Sequence, residues 1–145
     1  PRLRMQRTET TNDPSRIAAQ GEMVSINSAL QADLFARVNA ARRRSRIYSG
    51  FGGQTDFVVG ALHSHGGQAL IALRSWHPKA KESSIVPMVE EPVTSFQPTS
   101  VITEQGVAEL LGRDERVQAA NLIEHAAHPR VREELWEEAA ALGLA

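Results

Sequence analysis

Residues 48–57 read Tyr-Ser-Gly-Phe-Gly-Gly-Gln-Thr-Asp-Phe, and this segment constrains the fold more than any other. Gly50, Gly52 and Gly53 separate a short apolar stretch from an acidic-apolar one. Residues without a Cβ let the backbone turn sharply and let another group come close. The pattern predicts a brief strand at Arg46-Ile47-Tyr48, a glycine turn, and a helix from about Thr55 to Leu62. The free N–H groups of that helix's first turn would face back toward the glycines. Such a turn is either a tight connection or a place that holds developing negative charge on a bound oxygen.

The remaining segments predict strands alternating with helices. Asn12-Asp13-Pro14 reads as a helix start, with a cap candidate before Pro, and that helix ends near Gly21. Met23–Asn27 reads as a strand, and Ala29–Asn39 as either a helix or two short strands. Ala69–Leu73 is a continuous apolar run, suited to a strand covered on both faces. Trp76–Ser84 is a polar excursion. Ser84–Met88 and Val101–Thr103 are further strands, and Gly106–Leu111 reads as a short helix. Asp114–Ala127 carries a helical period through Val117, Ala120, Ile123 and Ala127. Pro129 opens a last helix with Val131, Leu135, Ala139 and Leu142 on one face and Gly143 as its stop. The alternation implies an α/β layer architecture with a largely parallel sheet flanked by helices. Ligands of such folds sit beyond the carboxyl ends of the strands, where the glycine turn lies.

Composition narrows the function. A chain of 145 residues suffices for one core, and 41% hydrophobic with 23% charged residues marks a globular protein. The net charge of −1 offers no general attraction to nucleic acid or to an acidic membrane. The chain has no cysteine, which excludes disulfides, zinc–thiolate sites and a cysteine nucleophile. No apolar run approaches the ~20 residues of a membrane span, and no signal-peptide pattern opens the chain, so cytoplasmic residence is expected. Residues 1–11 read as a polar tail or the stump of an upstream segment, and residues 12–145 as one domain.

Several side chains are candidates for chemistry. Gly52 and Gly53 offer backbone N–H groups to an oxyanion. Glu104, in Thr103-Glu104-Gln105-Gly106, follows an apolar strand and precedes the expected helix. It is a base, a nucleophile or an orienting group, or it only favours the helix N-terminus. His125 and His128 are spaced i, i+3, but no carboxylate–histidine pattern completes a metal site, so no metal is expected. His63 and His65 lie beside a glycine pair and are phosphate contacts or solvated loop residues. Arg42, Arg43, Arg44 and Arg46 form a basic loop that binds phosphates or is simply wet. Without interleaved aromatics it does not resemble a nucleic-acid surface. No Gly-x-Ser-x-Gly pattern supports a serine hydrolase, and Gly50-Phe51-Gly52-Gly53 lacks the third glycine of a dinucleotide fingerprint.

Five motifs occur in order: Met23-Val24-Ser25-Ile26-Asn27, Ser49 to Phe57, Ile85-Val86-Pro87, Val101 to Leu110, and Ala127-His128-Pro129. Together they resemble the C-terminal part of the acetyl-CoA hydrolase/transferase family, from about Asn12 to about Leu135. That family includes acetate and 4-hydroxybutyrate CoA-transferases. The resemblance implies a fold of the CoA-transferase superfamily type, present as a partial domain. It implies transfer of CoA from an acyl-CoA to a small carboxylic acid through an enzyme-glutamyl-CoA thioester. By that resemblance, Gly53 and Asn12 supply the oxyanion donors. Glu104 is a supporting residue, not the nucleophile, and Gly52, Gly53, Gln54, His65 and Gly66 contact CoA. CoA is then a substrate carrier, and no cofactor is permanently bound.

The nucleophilic glutamate of this family lies upstream of the matching region. The chain alone is therefore expected to be inactive, and to be completed by the upstream half of the enzyme or by a complementing chain. A homo-oligomer is expected, without nucleic acid or membrane as partner. Hydrolysis, a non-catalytic acyl-CoA-binding or assembly module, and an inactive remnant are the alternatives. Ala36-Arg37-Val38 stands where the family usually has Gly-Gln-Val or Gly-Asn-Val, the arginine run replaces a polar glycine-containing stretch, and Ser64-His65-Gly66-Gly67 replaces Ser-Lys-Gly-Gly. If only half a sheet is present, the face of Val131, Leu135, Ala139 and Leu142 would drive self-association.

Overall fold

The computed structural model describes residues 3–50, 52–93 and 97–145; Phe51 of the glycine segment lies outside them. A single turn, α1 (Thr8–Thr11), leads to α2 (Pro14–Ala18). Asp13 caps α2 by accepting the Ser15 N–H at 2.9 Å, and Pro14 takes the first helical position, where a missing N–H costs nothing.

Three strands run parallel: β1 (Val24–Ser28), β6 (Gln68–Ala72) and β10 (Ser100–Thr103). β11 (Gly106–Glu109) adds antiparallel to β10, giving the order β1-β6-β10-β11. Ser25, Ala69, Ile71, Val101 and Ala108 point to one buried face. Against that face pack α3 (Gln54–His63), α4 (Glu115–Asn121) and a π-helical turn, Leu122–Ala126, that continues α4. A 3-10 turn, Pro129–Val131, leads to α5 (Arg132–Ala141), which closes the core through Leu135 and Ala139. Gln118 and Asn121 fasten this layer to the sheet, donating to the carbonyls of Leu110 at 3.0 Å and Glu109 at 2.7 Å.

The ambiguous stretch from Ala29 to Asn39 forms two short strands, β2 (Gln31–Asp33) and β3 (Val38–Asn39), which share a small sheet with β9 (Ile85–Val86). The arginine run is a hairpin, not a loop: β4 (Arg42–Arg43) pairs with β5 (Arg46–Ile47), and Arg44 and Ser45 take positive φ of 50° and 63° at its tip. The polar excursion is also a hairpin, β7 (Trp76–His77) with β8 (Glu82–Ser83). The two hairpins meet where Glu82 receives Arg43 at 3.2 Å and Arg44 at 3.1 Å.

Three expectations are corrected. Gly106–Leu111 is not a helix. Ala108 and Leu110 are both buried, a spacing of two, and pairing with β10 uses the backbone groups that a helix would need. Strand β6 is covered on one face only: Ala69 and Ile71 are buried, while Leu70 and Ala72 on the other side are half-buried. The Val131, Leu135, Ala139 and Leu142 face is internal, packed into the main core rather than offered for self-association.

Asp33 is fully buried and its carboxylate is saturated with donors. Oδ1 accepts the N–H groups of Phe35 at 3.1 Å and Arg37 at 2.9 Å. Oδ2 accepts Arg37 Nε at 2.8 Å and the Val89 N–H at 2.8 Å, and the Arg37 guanidinium closes to 2.6 Å. Arg37 is thus the counter-ion of a core carboxylate. Ala36 lies inside this turn at φ 60°, a left-handed conformation that glycine adopts without steric cost. Asp33→Ala would strand these donors and is expected to cost about 3–5 kcal/mol in urea unfolding. Glu82→Gln, at an exposed ion pair, should cost under about 1 kcal/mol by the same measurement.

Candidate active site

The glycine turn is fixed from behind by a buried amide. Asn39 Oδ1 accepts the N–H of Ala41 at 3.2 Å and of Arg42 at 3.0 Å, and its Nδ2 donates to Arg42 O at 2.7 Å. Ala41 O then accepts Tyr48 N–H at 2.7 Å, which closes the arginine hairpin and delivers the chain to Gly50. Gly52 turns at φ 55°, and Gly53 stands at the N-cap of α3 with no side chain to bond the first-turn N–H groups.

Asn12 comes to this turn because α2 lies tightly on α3. A Cβ at Gly60 would meet Ile17 Cγ2 at 2.5 Å, so the glycine lets the two helices close. The Asn12 side chain then stands against Gly53: a Cβ there would collide with its Nδ2. Thr11 Oγ1 donates to Asn12 Oδ1 at 3.0 Å, which leaves Nδ2 as the group facing Gly53. Beside them, Gln54 Nε2 is buried and finds no hydrogen-bond partner among the described residues. The structure therefore unites Asn12, Gly53 and Gln54 around the start of one helix.

Glu104 is held at the turn between β10 and β11, not before a helix. Ser75 grips both of its carboxylate oxygens, through Oγ to Oε1 at 2.5 Å and the backbone N–H to Oε2 at 2.9 Å. Partial burial alone would raise its pKa; the hydrogen bonds from Ser75, its own N–H and Gln105 outweigh this and lower it to about 2. The turn is braced from below by Thr103, whose Oγ1 donates to Ala126 O at 2.9 Å and accepts Gln105 N–H at 3.1 Å. Ser75 itself is fully buried. Sequence reasoning passed over it; its signal was a small hydroxyl three residues beyond the end of a parallel strand.

Strands β1, β6 and β10 all end on one side. Helix α3 packs on β1 and β6 and returns the chain to the start of β6, so its N-terminus lies at that same end. Asn12–Gly53 and Ser75–Glu104 thus share the carboxyl edge of the sheet. His65 and Gly66 follow the other end of α3, some 15 Å away along a ten-residue helix. His128 Nδ1 accepts Arg130 N–H at 3.3 Å, and its ring lies 5.3 Å from that of Trp76, so the Ala-His-Pro motif caps a turn and packs the hairpin after Ser75. Among the described residues, no helix is long and apolar enough to cross a membrane, and no cluster of three or more His, Asp or Glu could hold a metal.

A family model described as the acetyl-CoA hydrolase/transferase C-terminal domain matches residues 1–139. The chain belongs to this family. It is 39% identical over 142 residues to a 4-hydroxybutyrate coenzyme A transferase of Clostridium kluyveri, which covers 95% of this chain and 33% of that protein. The crystal structure of RipA from Yersinia pestis superposes with a TM-score of 0.84 at 39% identity, covering 92% of this chain and 31% of the other. A 4-hydroxybutyrate CoA-transferase structure from Porphyromonas gingivalis gives a TM-score of 0.73 at 36% identity, over 90% and 30%. The chain therefore spans about a third of the length of the relatives it matches. In this acetyl-CoA hydrolase/transferase domain, both motif regions converge at the strand ends, whereas His65 stands apart from them.

Glu104 should titrate near pH 2 in carboxyl-detected NMR, well below the usual 4.5. Because the folded pKa is depressed, the stability it contributes is complete above the usual value and is lost as pH falls through about 2. Ser75→Ala should raise the titration midpoint and flatten the loss of melting temperature over that acid range.

Proposed function

We propose that this domain carries the oxyanion side of a CoA-transferase active site. Asn12 Nδ2 and the Gly53 N–H donate to the thioester carbonyl oxygen of an acyl-CoA while a glutamate carboxylate attacks the carbonyl carbon. Charge builds on that oxygen only as the tetrahedral intermediate forms, so fixed donors there favour the transition state over bound substrate. Collapse of that intermediate expels CoA thiolate and leaves an acyl-glutamyl anhydride. The thiolate attacks the glutamyl carbonyl, and the first acid leaves as carboxylate. The resulting enzyme-glutamyl-CoA thioester passes CoA to a second carboxylic acid by the reverse steps. The attacking glutamate belongs to the part of the family's chain that this sequence does not span.

What carries the reading is the Asn12 amide set so close to Gly53 that no larger residue fits. A turn glycine needed only for its dihedral angles gives no reason for a donor group to occupy its Cβ position. Gln54, whose buried amide has no partner among the described residues, extends the same donor cluster toward CoA. Glu104 serves as an orienting acceptor. A carboxyl that stays ionised to about pH 2 accepts hydrogen bonds but is a poor proton donor or base near neutrality. Gly52 and the more distant His65 and Gly66 complete the proposed CoA contacts, and acetate-type metabolism in the cytoplasm is the proposed setting.

The test joins this chain in frame to the part of the Clostridium kluyveri enzyme outside the match and follows CoA exchange between acetyl-CoA and succinate. Asn12→Ala and Gly53→Ala are expected to lower kcat by about 10²-fold or more while KM changes little. An unchanged kcat in both variants would remove them from the oxyanion hole. The 145-residue chain by itself should show no turnover at an enzymatic rate.

A further inference from the structure

The four-stranded sheet is covered on one side only. Register places Ile26, Leu70, Ser100 and Glu109 in one row, and Ser28, Ala72, Ile102 and Val107 in the next. These rows lie opposite the buried face of Ser25, Ala69, Ile71 and Val101. With Val24, they form an apolar strip of Val24, Ile26, Leu70, Ala72, Ile102 and Val107. Ile26 is 67% exposed, and Val24 and Val107 are each 49% exposed. Parallel strands are ordinarily buried on both faces, because each unsatisfied apolar face seeks its own helical layer. The chain's own N-terminal segment does not supply one: Leu3 and Met5 are exposed at 78% and 85%.

We propose that this face docks amphipathic helices from the part of the family's chain that this sequence does not span, whether that part is joined covalently or supplied by another polypeptide. Size favours this occupant over a second copy. Four strands of about five residues present roughly 300 Å² on one face, room for one or two helices of ~10 Å diameter. A stable homodimer needs about 800 Å² from each partner. Length supplies the occupant, since relatives aligned over 95% of this chain are matched over only 33% of their own. The partly polar rim of Ser28, Gln68, Ser100 and Glu109 would meet the wet flanks of those helices.

The lack of native cysteine makes the face directly testable. Ile26→Cys places a single thiol on the strip, and Leu111→Cys, at a residue 56% exposed off the sheet face, serves as control. Maleimide labelling is compared between the isolated chain and the chain joined to the uncovered part of the Clostridium kluyveri enzyme. The expected result is rapid labelling of both thiols in the isolated chain, and labelling of Ile26→Cys slowed at least about tenfold in the joined chain while Leu111→Cys stays reactive. Undiminished labelling of Ile26→Cys in the joined chain would overturn the proposal. So would protection already present in the isolated chain that is lost on dilution alongside a dimer in sedimentation, which would assign the face to a second copy. The readout is independent of the oxyanion reading: Asn12→Ala should leave the protection unchanged.

Discussion

Strand β6 organises this domain, because its backbone is shared between two parallel neighbours. Pairing Val24 with Gln68 on one side and Leu70 with Ser100 on the other sets three strands running the same way. Their polar continuations, Ser75 after β6 and Glu104 after β10, therefore emerge together. Helix α3 must run back across the sheet to re-enter β6, which brings its glycine N-terminus to the same edge. The gathering of these groups at one end is thus a consequence of parallel pairing, and the close contact of Ile17 with Gly60 then brings Asn12 over that edge.

Two carboxylates illustrate how burial and hydrogen bonding divide labour. Asp33 is inside, saturated by backbone N–H groups and a guanidinium, and it ties the turn at Ala36 to the segment after β9. Removing its partners would leave an uncompensated charge, so its role is architectural. Glu104 is at the surface edge, gripped by one serine, with its outer side open. In Glu104, hydrogen bonds that favour the ionised form outweigh desolvation and hold the pKa low, while the exposed outer side keeps acceptor capacity. Arg37 belongs with Asp33, whereas Arg43 and Arg44 of the hairpin meet Glu82 in an exposed ion pair.

Much of the local structure was legible. Asp13-Pro14, Asp114 and Gly143 mark helix limits through groups that act within one turn, and all three do so in the structure. The helix after Gly53 starts within a residue of its expected position. Gly106–Leu111 reads as a helix because Ala, Leu and Glu suit one in isolation, and only the neighbouring β10 strand makes extended pairing better. Ser75 was invisible for a related reason: its value lies in a partner 29 residues away. The sequence marks one face of α5 as apolar, but whether such a face meets the core or the outside depends on where the chain places the helix.

By itself, the sequence determined the element boundaries set by caps and glycines, the alternation that makes an α/β domain, and the motif order of the acetyl-CoA hydrolase/transferase family. These depend on interactions that span a few residues, or on patterns that survive without contacts. Tertiary structure alone decided that Asn12 fills the space at Gly53, that Ser75 holds Glu104, and that Ile26 and Val107 share an exposed sheet face. Each of these joins residues distant in the chain, or depends on which strands become neighbours. Local propensity carries no information about either.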